Sequence, residues 1–101
     1  MAAKIVIPIV GERGQKYDIV KLVEWKAEEG ALVEKGSIVL VVETEKASCD
    51  IEAEASGFLH ILVPEGGKAM VGAVVGLIAE TREELEEFQR VPPEKLAQGS
   101  F

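Results

Sequence analysis

An internal repeat limits the fold of this chain more than any other feature. The stretch E-G-A-L-V-E-K-G-S-I-V-L-V-V, Glu29 to Val42, returns as E-G-G-K-A-M-V-G-A-V-V-G-L-I, Glu65 to Ile78, at a constant offset of 36. Glu29/Glu65, Gly30/Gly66, Gly36/Gly72 and Val39/Val75 are identities, and Trp25/Ile61, Val23/Leu59, Val41/Leu77 and Val42/Ile78 keep their apolar character. Two glycines at matched spacing are hard to obtain by chance, because glycine marks backbone that other residues adopt only under strain. Each copy reads as strand, turn, strand, and two copies predict an all-β, pseudo-twofold sandwich or flattened barrel. In the first copy the strand before the turn pairs with the strand after it. In the second copy the equivalent partner is the first strand, Lys4 to Val10, which puts the chain ends opposite the turn at Lys46.

That turn belongs to Ser37 to Ala55, which reads as one β-hairpin. Its first arm, Ile38 to Val42, is wholly apolar and mostly β-branched. The second puts Ala47, Cys49, Ile51 and Ala53 on one face and Ser48, Asp50, Glu52 and Glu54 on the other, as a half-buried strand does. Glu43, Thr44, Glu45 and Lys46 between the arms leave room only for a tight reversal with Lys46 at its tip. Taken alone, such a lysine is a solvated charge that discourages edge-to-edge pairing.

The rest of the chain narrows the function classes. With 101 residues, nearly half of them hydrophobic, this is one soluble domain. A net charge of −7 without a basic cluster argues against nucleic acid and anionic membranes and for protein partners and a cofactor. The single cysteine, Cys49, excludes an intramolecular disulfide and is expected as a buried, inert thiol in a reducing compartment, the cytoplasm. Ile5 to Val10 is too short to span a membrane and reads as a strand, which Pro8 places either along an edge or with the missing N–H facing outward. Gly11 to Asp18, with two glycines and four charged residues, marks an exposed loop. Strand resumes from Ile19 to Ala27, where Ile19, Lys21, Val23 and Trp25 alternate imperfectly with Val20, Leu22 and Glu24 and leave the phase open. His60, the single histidine, lacks a partner at metal-ligand spacing and is expected as a strand residue, with no metal and no catalytic pair. The small-residue pattern Gly72 to Gly76 aligns with a strand of the repeat, which outweighs a helix-packing motif. After Glu80, Thr81 and Glu84 form a capping box for a short helix with Leu85 and Phe88 on one side. Either docking on the barrel or the start of a linker is compatible with that pattern. Val91-Pro92-Pro93 ends the helix, so the domain is expected over 1–80, with helix and linker or tail over 81–101.

E-T-E-K-A, Glu43 to Ala47, with Gly36 before it and Gly57 after it, resembles the lysine-bearing motif of lipoyl domains, in the biotinyl/lipoyl-attachment family. I-P-I-V-G-E near the start, W-x-x-x-x-G from Trp25 to Gly30, E-K-G from Glu34 to Gly36 and S-G-F-L from Ser56 to Leu59 are similar in particular to the lipoyl domains of acyltransferase components of 2-oxo acid dehydrogenase complexes. The resemblance runs from about Lys4 to Glu80, with Glu45 where the family usually has Asp and a longer segment from Gly11 to Trp25. It implies a flattened barrel of two four-stranded antiparallel sheets, a barrel-sandwich hybrid. It also implies lipoic acid in amide linkage to Lys46, with Glu43, Thr44, Glu45 and Ala47 as the recognition turn. The implied role is a non-catalytic carrier and swinging arm, expected as a monomer, with a dihydrolipoamide acyltransferase as the implied parent if the chain is part of a longer one. Its implied partners are a lipoylating enzyme, a thiamine-diphosphate-dependent 2-oxo acid decarboxylase, an acyltransferase core and dihydrolipoyl dehydrogenase. A glycine-cleavage-type carrier is disfavoured because that family is longer and usually has a non-acidic residue where Glu45 stands. A biotin carrier normally has Met on both sides of its lysine, and an unmodified hairpin module for protein contacts is the blandest alternative.

Overall fold

A computed structural model describes residues 2–7, 19–43 and 48–92. Eight strands and one helix follow in order: β1 Ala3–Val6, β2 Ile19–Trp25, β3 Leu32–Val33, β4 Ile38–Glu43, β5 Ser48–Glu52, β6 Gly57–Ile61, β7 Lys68–Met70, β8 Val74–Ala79 and α1 Arg82–Arg90. They form two four-stranded antiparallel sheets, β1-β8-β6-β3 (sheet A) and β5-β4-β2-β7 (sheet B), which face each other without closing into a barrel.

The repeat is the reason for this arrangement. Shifting β3 and β4 by 36 residues lands on β7 and β8, and one sheet becomes the other strand for strand. Gly30 and Gly66 have φ of 81° and 87°, and Gly36 and Gly72 have 90° and 91°, so the matched glycines hold matched left-handed turns. The irregularities match as well. Register shifts between Ile38 and Leu40 where β4 meets β5, and between Ile5 and Val6 where β1 meets β8. β1 is an edge strand paired with β8, as the second copy requires. It begins at Ala3, and Ile7 extends its bonding by donating to Ala73 O while Gly72 N donates to Ile7 O. Pro8 and the Gly11 to Asp18 loop lie outside the described residues.

One part of the expected repeat needs correction. Leu22 lies opposite Val42 and Leu59 lies opposite Ile78, so the counterpart of Leu59 is Leu22, not Val23. A β-bulge between Leu22 and Glu24 inserts Val23 as an extra residue, and the offset before it is 37. This bulge also explains the open phase of β2. Val20 and Leu22 point into the core, Val23 and Glu24 are both exposed, and Trp25 turns inward again. The strand ends at Trp25, two residues earlier than expected. In β4 the same device turns Val39 and Leu40 both inward and leaves Ile38 exposed, so a wholly apolar run does not mean a strand buried on both faces.

The core between the sheets is built from Ile5, Ile7, Val20, Leu22, Trp25, Val39, Leu40, Val42, Leu59, Val75 and Ile78 with their neighbours. Each fully buried aliphatic side chain contributes about 1.5–3 kcal/mol, the main favourable term in a fold without staples. Trp25 breaks the symmetry of the two halves. Its indole lies where a Cβ on Gly76 would be 3.0 Å from Cη2, and its Nε1 donates to Val63 O at 2.9 Å. The large residue in one half is thus accommodated by the missing side chain in the other.

α1 covers the outer face of sheet A. Leu85 and Phe88 are buried against Leu62, Leu77 and Ala79, with Phe58, Val74 and Val91 beside them. Sheet B instead leaves Lys21, Glu24 and Glu43 exposed, together with Val23 and Ile38, and no described helix covers it. Thr81 Oγ1 accepts from Glu84 N at 3.1 Å as the expected N-cap. The Glu84 carboxylate reaches Glu80 N at 2.8 Å, one residue before the cap, rather than Thr81 N as a standard capping box would have it. Thr81→Ala is expected to lower stability by about 1 kcal/mol, read from the denaturation midpoint, because it leaves a helix N–H without its acceptor.

Candidate functional site

The expected hairpin is present. β4 and β5 pair antiparallel through Ile38↔Glu52, Leu40↔Ile51, Val41↔Asp50, Val42↔Cys49 and Glu43↔Ser48. Residues 44–47 therefore join two strand ends that are direct partners. Glu43 closes β4 and is exposed, and Ser48 opens β5 and is exposed. Thr44, Glu45, Lys46 and Ala47 lie outside the described residues. β5 alternates as expected, with Ile51 buried and Ser48, Asp50 and Glu52 exposed, and Ala53 is buried just past its end. Cys49 corrects its expectation: it is half-buried rather than buried, packing against the core from the outermost strand of sheet B, where β5 has a neighbour on one side only.

The surroundings of that end of sheet B follow from the pairing. Lys21 is the neighbour of Glu43 on the β2 side, and Lys68 is the neighbour of Lys21 on β7. Ile19 and Met70, partners across β2 and β7, are exposed at the same end. From Met70 the chain turns into β8, which runs away from this end and finishes at Ala79 beside Ala3 and Phe58. The start of β1 and the end of β8 are therefore at the pole opposite the 44–47 connection, as the repeat predicts.

A different set of residues escaped the sequence reading. Glu29 Oε1 accepts from Ile61 N at 2.7 Å, and Glu65 Oε1 accepts from Trp25 N at 3.1 Å. The Glu29/Glu65 identity thus has a structural cause: each carboxylate ties its own turn to the strand of the other half. Glu29 does more. Its Oε2 accepts from His60 Nδ1 at 2.8 Å and from Gln89 Nε2 of α1 at 2.9 Å. His60 is indeed a residue of β6, but it is 8% exposed, stacked on Phe88 with ring centroids 6.3 Å apart, and its Nε2 is buried with no hydrogen-bond partner among the described residues. A carboxylate only accepts, so the hydrogen on this imidazole's Nδ1 is fixed by Glu29. Desolvation by burial pushes the Glu29 carboxyl upward, but hydrogen bonds from Gln89, His60 and Ile61, with the charge of His60, outweigh it and hold the group below 4.5. The identity of Glu29 and Glu65 was the available signal for the first role; the partnership with Gln89 lies 60 residues away and has none. Among the described residues no cluster of His, Cys, Asp and Glu could hold a metal ion.

Residues 3–78 match the Biotin_lipoyl family, described as biotin-requiring enzyme. The chain belongs to this family. A Biotin_lipoyl domain is a carrier, non-catalytic in itself, and the match covers the eight strands except the last residue of β8 and stops before α1. The chain is 48% identical over 68 residues to the dihydrolipoyllysine-residue acetyltransferase component 4 of pyruvate dehydrogenase complex, chloroplastic, of Arabidopsis thaliana, a match covering 66% of this chain and 14% of that protein. It is 32% identical over 76 residues to the pyruvate dehydrogenase complex protein X component, mitochondrial, of Chaetomium thermophilum, covering 73% and 17%. It is 33% identical over 79 residues to the dihydrolipoyllysine-residue succinyltransferase component of 2-oxoglutarate dehydrogenase complex of Bacillus subtilis, covering 77% and 18%. The chain thus spans less than a fifth of the length of these relatives. Among solved structures, a single-chain, multi-domain long-chain acyl-CoA carboxylase shares the Biotin_lipoyl fold with TM-score 0.58 at 21% identity, covering 88% of this chain and 8% of that one.

Proposed function

We propose that this chain is a lipoyl carrier domain of a 2-oxo acid dehydrogenase complex, with lipoic acid joined to Lys46 Nζ through an amide. The observation that carries the reading is the Glu43↔Ser48 pairing, which leaves four residues, T-E-K-A, to join the hairpin arms, in a chain similar to dihydrolipoyllysine acyltransferase components. The group fits this site, because amide attachment asks only for an accessible lysine amine, and both flanking residues, Glu43 and Ser48, are exposed. The bound dithiolane supplies a disulfide that takes up an acyl group and two electrons together. The protein's part is to hold the arm, whose lysine stem and acyl chain extend on the order of 12 Å from the backbone. Proposed partners are a lipoylating enzyme, a thiamine-diphosphate-dependent decarboxylase, an acyltransferase core and a flavin-containing dihydrolipoyl dehydrogenase. A tethered carrier meets each of them at an effective concentration set by its linker rather than by bulk diffusion. A lone half-buried thiol, Cys49, suits a reducing compartment such as the cytoplasm.

The reading is tested by offering the lipoylated chain, with pyruvate or 2-oxoglutarate, to the matching decarboxylases and recording intact mass. The expected result is an acyl adduct with at least one pair, absent from the unlipoylated chain. A lipoylated chain that accepts no acyl group from either pair contradicts the carrier role.

A further inference from the structure

α1 lies outside the family match and is tied to sheet A by a polar cluster in which the Glu29 carboxylate takes donors from His60, Ile61 and Gln89, and at its other end by the Arg82 guanidinium, 5.3 Å above the Phe58 ring. The pseudo-twofold supplies an internal control. Glu65 makes the equivalent strand contact, to Trp25 N, yet the counterpart of His60 across the pseudo-twofold is Glu24, an exposed residue paired with Lys26 at 3.0 Å. The second half of the Glu29 arrangement is therefore not required by the barrel and serves the helix. The apolar part of the helix contact is small, since Leu85 and Phe88 are its two buried side chains. Segments with few buried apolar contacts open at lower free energy than the core they rest on.

We propose that α1 is a releasable cover on sheet A, latched by Gln89 and His60 to the Glu29 carboxylate, which opens while the two sheets stay folded. Opening bares Phe58, Leu62, Leu77 and Ala79, and it adds the nine residues of α1 to the tail beyond Val91, a gain of about 30 Å in extended length. If the domain is tethered through that tail, the latch sets the length of the tether, and with it the effective concentration at a partner. The latch itself stands whether or not Lys46 is modified.

Acid acts on the latch in a defined direction. Glu29 is the group whose folded value is depressed, so its contribution is fully present above 4.5 and is lost as pH falls through the lower folded value. His60 on β6 is the ionisable partner whose charge acts on it; α1 presents the neutral Gln89 and Phe88 to this cluster, and Glu86 and Arg90 of the helix face each other at 4.0 Å.

Hydrogen exchange on the full chain, expressed as protection factors so that intrinsic rates cancel, tests the proposal with Glu29→Gln, Gln89→Ala and Glu65→Gln. Glu29→Gln places an amide donor against the donors of His60 and Gln89, and the exposed Gln89 can be truncated without disturbing the core. Loss of a hydrogen bond to a charged group is expected to raise α1 opening roughly tenfold or more in both variants, with β4 and β8 unchanged. Glu65→Gln is expected to leave α1 protection within about twofold of wild type, the range of substitutions without such a contact. Lowering pH below 4.5 is expected to loosen wild-type α1 and to have less effect in Glu29→Gln. The proposal is overturned if α1 and β8 exchange together as one unit in every variant, or if Glu65→Gln loosens α1 as much as Glu29→Gln does.

Discussion

Lys46→Arg is expected to abolish lipoylation while leaving the fold intact. Amide formation needs an amine that can lose its proton, and a guanidinium stays protonated in any folded protein, so arginine keeps the charge and removes the chemistry. The core side chains come from elsewhere in the chain, and stability should change by no more than about 0.5 kcal/mol, as for surface substitutions away from special contacts. The competing lysines are placed differently. Lys26 pairs with Glu24, Lys21 and Lys68 lie in strands β2 and β7, and Lys35 lies in the turn before β4. Intact mass and proteolytic mapping check the result; a lipoyl group on another lysine of the variant, at comparable yield, rules out Lys46 as the sole acceptor.

Gly57→Ala is expected to be strongly destabilising although it adds only one methyl group. A Cβ there would stand 2.2 Å from Ala79 O and 2.8 Å from Ile78 Cγ2. The first obstacle is backbone, so no rotamer change relieves it, and β6 must move away from β8 along their Phe58↔Ala79 and Leu59↔Ile78 pairing. A loss of about 3 kcal/mol is expected, at the upper end for overpacking, which corresponds to a fall in Tm of roughly 12–24 °C for a domain of this size. Gly36→Ala is the comparison: nothing lies within 4 Å of its Cβ, and the φ of 90° alone should cost about 1–2 kcal/mol. Thermal unfolding of both variants checks the order. If Gly36→Ala proves the worse, the close approach of β6 and β8 is not what Gly57 serves.

Much of the fold was legible because it is written twice. The matched glycines fixed the turns, and the missing partner of the second copy correctly assigned β1 to β8. What the repeat concealed was the bulge at Val23, since an apolar residue can occupy either face and a one-residue insertion between two strands leaves no mark in composition. For the same reason the apolar run of β4 did not disclose that Ile38 faces outward. The hairpin arms were legible from alternation in β5, whereas the half-burial of Cys49 depends on β5 lying at a sheet edge, which alternation does not encode. Leu85 and Phe88 showed that a helix with one apolar side would form, but its seat on sheet A is set by Leu62, Leu77 and Ala79, and its polar tie by a glutamate sixty residues earlier. Contacts of that kind are tertiary and carry no local pattern.

The central claim is the choice of prosthetic group, and the neighbours of Lys46 give it a physical basis. Glu43 and Glu45 are acidic and Ala47 is small, so a ligase suited to apolar methionines beside its lysine would leave the Glu45 charge poorly solvated, whereas a lipoylating enzyme with complementary basic groups would gain. The most direct measurement is the intact mass of the wild-type chain after separate incubation with a lipoylating and a biotinylating enzyme. One lipoyl adduct is expected from the first and negligible product from the second; efficient biotinylation with no lipoyl adduct would rule out a lipoyl carrier.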